Sequence, residues 1–146
     1  MSRSIEREIR VEAAPEVVYE VVSSPEHLRE WWPDEADLEP VAGKTGTIGF
    51  KQDTGVMTVA VTVVEAEPPR RFAFRWDYEG DTATPENSVL VTFELVPVDG
   101  GTLLRFAETG YDEAAKSDAV LADHTEGWDY FLPRIPPYVD RLVARP

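Results

Sequence analysis

Between about residue 38 and residue 109, apolar residues recur at every second position in one stretch after another. "PPRRFAFRWDY" sets Phe72, Phe74, Trp76 and Tyr78 in one phase, and "VLVTFELV" does the same for Val89, Val91, Phe93 and Leu95. "TLLRFAETG" puts Leu104, Phe106 and Glu108 on one side against Leu103, Arg105 and Ala107. A period of two belongs to a strand with one buried face. The β-branched run "VMTVAVTVVEA" adds a further strand, and the turns at Gly43, Gly46 and "VDGG" imply mostly antiparallel neighbours. A chain so patterned has to build a sheet and then cover one of its faces.

Residues 113 to 135 carry the only long helical pattern, with Val120, His124, Gly127 or Trp128, Phe131 and Ile135 recurring at three and four positions. Pro133 cannot donate to the carbonyl of Asp129, so a kink or an end is expected there. Pro136 and Pro137 suit the first turn of a short final helix through Tyr138, Leu142 and Val143. Upstream, "IEREIRV" alternates as a strand, and Pro15 and Pro25 open two short helices, the second stopping near "WWPD". The expected fold is therefore α+β: a curved antiparallel sheet with one long C-terminal helix on its face, and two short helices after the first strand.

The 146 residues are about one domain's worth, and no linker or repeat divides residues 1–146. With 28 acidic against 14 basic residues the formal charge is −14, which repels nucleic-acid phosphates and disfavours an anionic membrane surface. No apolar run approaches a membrane span, so a soluble, cytoplasmic protein is expected. There is no cysteine. "GKTG" at 43–46 lacks the rest of a phosphate-binding loop, neither His27 nor His124 lies in an HExxH helix, and GxSxG is absent. The residues thus imply no cofactor, no metal and no assigned catalytic group.

Three features remain as candidate chemistry. Glu108 shares its phase with Phe106 and Leu104; it sits at a strand rim, anchors a pocket, or acts as an acid or base, and if interior it needs donors. His124 shares a helix face with Trp128 and is structural, a ligand contact or a proton carrier. Trp31, Trp32, Phe50, Trp76, Tyr78, Phe93, Phe106, Trp128 and Phe131 either fill a thick core or line a cavity. Their crowding onto faces that should meet leads us to expect enclosed space for solvent or ligand.

The order of "IEREIRVEAAPEVVYEVVSSPEHLREWWP", "GTIGF", "EAEPPRRFAFRW", "SVLVTFELVPVDGGTLLRFAETGY" and "HTEGWDYFL" resembles the START-like helix-grip superfamily, in its branch related to the activator of the Hsp90 ATPase. The resemblance implies a sheet gripping the C-terminal helix around a cavity. It implies "SPEHLREWW" at the cavity mouth, Trp76 on a central strand, and Gly127-Trp128 matching the family's "GW", the glycine permitting close approach. Pro133, Pro136 and Pro137 depart from it. Because such proteins include lipid or hormone carriers and polyketide cyclases, three functions follow. The leading one is binding of an apolar or aromatic small molecule. The others are a cyclase- or dehydratase-like enzyme and a co-chaperone-like module that meets a protein partner.

Overall fold

The alternation expected over residues 89–95 and 102–108 is realised in a computed structural model that describes residues 3–80 and 82–144. Residues 1, 2, 81, 145 and 146 of the expected single domain lie outside that description. Strands β1 (Ile5–Val11), β2 (Glu35–Asp37), β3 (Thr45–Gln52), β4 (Gly55–Glu67), β5 (Arg71–Trp76), β6 (Val89–Val98) and β7 (Gly101–Thr109) form one antiparallel sheet in the order β1-β7-β6-β5-β4-β3-β2. The register slips between Val63 and Glu65, and such a bulge bends and twists the long strand β4, helping the sheet to curve. Gly46 lets β3 lie close to the chain after β2, since a Cβ there would stand 2.4 Å from the Asp37 carbonyl oxygen.

Helices α1 (Pro15–Ser23) and α2 (Pro25–Trp31) follow β1, each with its proline in the first turn. Ser24 serves both: its N–H closes α1 onto the Glu20 carbonyl at 2.9 Å, and its own carbonyl accepts from His27 and Leu28 to open α2. The second helix stops ahead of Pro33, as the pattern predicts. At the C-terminus, α3 (Asp118–Phe131) passes through a 3-10 turn at Leu132–Arg134 into α4 (Ile135–Val143). Pro133 thus marks a junction between helices, and Pro136 and Pro137 sit in the first turn of α4 where missing N–H groups are harmless. The long helix begins later than its apolar pattern: Ser117 caps it by accepting from the Val120 N–H at 3.2 Å.

The two faces of the sheet differ in chemistry. On the outer face Glu8, Arg105, Glu94, Arg71 and Glu65 alternate in sign across five neighbouring strands, linked at 2.9, 3.6, 3.7 and 2.6 Å. This ladder borders a surface depression of about 740 Å³, and its charges already satisfy one another. The inner face carries the core, where Val91, Phe93, Leu95, Leu104, Phe106, Phe72 and Phe74 meet α1, α2 and α4. Of the fourteen residues of α3, by contrast, only Trp128 is buried. Val120, Leu121 and Phe131 of the same helix lie half-buried against the core.

Candidate functional site

The inward phase of β7 runs Thr102, Leu104, Phe106, Glu108, all buried, and it carries a carboxylate into the interior with no exposed surface. Leaving such a group unpaired would cost several kcal/mol, so its partners define the site. Trp76, the last residue of β5, donates its indole N–H to Glu108 Oε2 at 2.7 Å. The Tyr111 hydroxyl donates to Oε1 across the turn made by Gly110, whose φ is 93°. His124 Nδ1 from α3 lies 2.8 Å from the same oxygen. Three separate segments therefore converge on one buried carboxylate.

A second polar group adjoins the first. His124 Nε2 lies 3.6 Å from Asp77 Oδ2, and Lys116 Nζ donates to the Asp77 carbonyl at 2.6 Å while standing 3.6 Å from Oδ2. Burial alone would lower the His124 pKa, but the hydrogen bond and charge of Glu108, with the charge of Asp77, outweigh burial and the repulsion of Lys116 and raise it. Burial, then the charge and hydrogen bond of Glu108, push the Tyr111 hydroxyl up, so it remains a phenol donor at neutral pH. Asp77 and Ala115 hold φ values of 62° and 54°, a conformation that non-glycine residues seldom adopt, and Lys116 follows Ala115 directly. Such strain, about 1–3 kcal/mol per residue, tends to gather at working sites.

Beside this polar centre lies an aromatic layer. The Trp128 ring packs 4.7 Å from Phe106, 4.8 Å from Trp32 and 5.9 Å from Trp76, centroid to centroid. Trp76 also lies 5.1 Å from His124. Phe50 and Phe131 meet at 6.4 Å toward one rim, both half-buried. Trp31 and Phe93 belong to the core behind, where the Trp31 indole donates to the Val21 carbonyl at 2.9 Å. Tyr78 does not join the layer: the left-handed turn at Asp77 breaks the strand phase, and the Tyr78 hydroxyl bonds Thr62 at 2.8 Å.

The aromatic residues around Trp128 pack against one another, and the apolar space beside them, among Leu28, Trp32, Ile48 and Phe72, is about 10 Å³, no more than one water's worth. One expectation needs correction: Gly127 is not there for close approach, since a Cβ at that position would meet nothing within 4 Å. Tyr111, Asp77 and Lys116 escape the sequence reading because none falls in a periodic run. The spacing Glu108-Thr-Gly-Tyr111, a tyrosine just past a turn glycine, was the one available signal. Among the described residues no group of three or more His, Cys, Asp and Glu side chains is placed to hold a metal, and no helix is long and apolar enough to cross a membrane.

The fold is shared with solved structures. Protein MLL2253 from Mesorhizobium loti superposes with a TM-score of 0.75 at 22% identity, over 95% of this chain and 98% of that one. The Aha1 dimer from Colwellia psychrerythraea gives 0.74 at 22%, over 94% and 96%. CalU16 from Micromonospora echinospora gives 0.71 at 23%, over 99% and 80%. At these identities the likeness shows the fold, which is the helix-grip architecture of the START-like superfamily. No curated protein matches the chain. The family described as Activator of Hsp90 ATPase homolog 1-like protein matches residues 12–140, and the chain belongs to that family.

Proposed function

We propose that the protein binds a small molecule with an apolar or aromatic body between α3 and the sheet, with the Glu108 centre as its polar anchor. One observation carries this reading: a fully buried carboxylate, bonded from three segments, lies under a helix that buries only Trp128. A carboxylate in an apolar layer contributes little to stability that a hydrophobic residue would not, whereas it supplies the fixed polar contact that orients a ligand. Because the layer is filled, binding requires α3 to lift. A ready-made cavity is not part of the reading.

The convergence of His124 and Glu108 at 2.8 Å also favours a second reading, an acid-base enzyme of the cyclase or dehydratase kind in which His124 moves a proton. Gentle native mass spectrometry of the purified protein, followed by extraction, tests both. We expect one retained small molecule per chain in the wild type and its loss in Glu108→Gln. A bare chain, together with no upward shift in melting temperature from apolar and aromatic compounds, would overturn the binding reading, since ligand at a hundredfold excess over Kd should add about 2.7 kcal/mol. Conversion of the retained molecule by wild type but not by His124→Gln would favour the enzyme.

A further inference from the structure

The helix that covers the site presents two rings to it. Trp128 fills a box walled by Phe106 at 4.7 Å, Trp32 at 4.8 Å and Trp76 at 5.9 Å, and among the described residues its indole N–H makes no hydrogen bond. One turn earlier on the same face, His124 places a ring nitrogen 2.8 Å from Glu108. Trp76 touches both rings. Lifting α3 removes both together: it vacates a slot shaped for a flat bicyclic ring and strips the buried Glu108 of one of its three donors. From this we infer that the site takes a planar aromatic molecule bearing a basic nitrogen, an arylalkylamine, whose ring replaces Trp128 and whose nitrogen replaces His124 on Glu108. The inference rests on the reading of the α3–sheet layer as a binding site.

Charge points the same way. Trp76 and Tyr111 remain to donate to Glu108 when α3 departs, but neither carries a positive charge, and a buried carboxylate deprived of a partner favours a cation over a neutral or anionic group. The Asp77 carboxylate, 3.6 Å from where the imidazole stood, keeps Lys116 at 3.6 Å as its partner, and the Asp77 carbonyl holds the same ammonium at 2.6 Å, so Lys116 is engaged and Glu108 is the carboxylate left for the ligand. A net charge of −14 also raises the local concentration of cations and repels anions of the same shape. The ring supplies burial, and the nitrogen selects.

Tryptamine is the probe, titrated into the wild-type protein while the Trp128 indole N–H and the His124 ring are followed by NMR, with indole-3-acetate as its anionic counterpart. We expect both signals to move together with tryptamine, and tryptamine to bind at least about tenfold more tightly, a difference of about 1.4 kcal/mol. In Trp128→Gly, which removes the internal competitor, tryptamine affinity should rise. Equal or tighter binding of indole-3-acetate overturns the amine class and leaves the binding site standing. Tryptamine binding that leaves Trp128 and His124 unmoved overturns displacement. If neither probe binds wild type or Trp128→Gly, the inference falls, while a different molecule retained in native mass spectrometry would still uphold the binding reading.

Discussion

Held between Glu108 at 2.8 Å and Asp77 at 3.6 Å, His124 couples the docking of α3 to pH. Its pKa in the folded chain lies above the ordinary 6.5, so its contribution to stability is fully present below about 6.5 and disappears as pH rises through the raised folded value. Thermal unfolding of wild type and His124→Gln should therefore differ most below about pH 6.5 and approach each other as pH rises through the raised folded value. Parallel curves would remove the imidazolium from the account. Trp128 acts through shape: it is 2% exposed, packed by three aromatic rings, and makes no hydrogen bond among the described residues. Trp128→Ala should cost about 3–5 kcal/mol by denaturant unfolding, and Trp128→Phe much less, since no polar contact is lost. An alanine variant as stable as wild type would mean that the helix face does not grip the sheet. At this scale the sequence disclosed Glu108, His124, Trp76 and Trp128, because each falls on a periodic face. Tyr111, Asp77 and Lys116 lie in turns, where position follows from backbone geometry instead of period.

Among the elements, α3 differs from its neighbours in what holds it. Beside the Trp128 contact it has polar ties: Arg3 pairs with Asp118 at 2.9 Å, Arg7 on β1 pairs with Asp129 at 2.8 Å, and His124 reaches Glu108. The two outer pairs are partners that water can replace, whereas the apolar rows of β5, β6 and β7 have no such substitute. Arg7→Ala should cost only about 0.2–1 kcal/mol of global stability, as half-exposed pairs do, yet it should loosen α3 selectively. The strands were legible because alternation specifies both a period and a buried face. The short strand β2 was not, since Glu35–Asp37 is three residues long and has no apolar phase. The helix starts at Asp118, later than the apolar spacing implies, for a related reason. Residues 110–116 are taken up by turn bonds, Ala114 N–H to the Gly110 carbonyl at 3.1 Å and Lys116 N–H to the Tyr111 carbonyl at 2.9 Å, which apolar spacing does not register.

Over the whole molecule, the curved sheet, the two short helices and the split C-terminal helix were all readable, since each depends on local patterns repeated along the chain. Whether the aromatic residues would enclose a cavity was not readable, because that depends on how far α3 settles into the sheet, a distance set by Trp128 and by polar ties from remote residues. The acidic surface is compatible with this closed state: on the outer face its charges are paired across strands, and near the site a single buried carboxylate is matched by donors from three segments. The central claim is that α3 is a cover that opens while the sheet stays folded. Hydrogen–deuterium exchange of the full chain, resolved to single amides, tests it most directly. The account predicts that the amides of Leu121 to Phe131 exchange through a local opening well before those of β6 and β7, and faster still in Arg7→Ala. Protection of α3 equal to that of the central strands, unchanged in the variant, would contradict it.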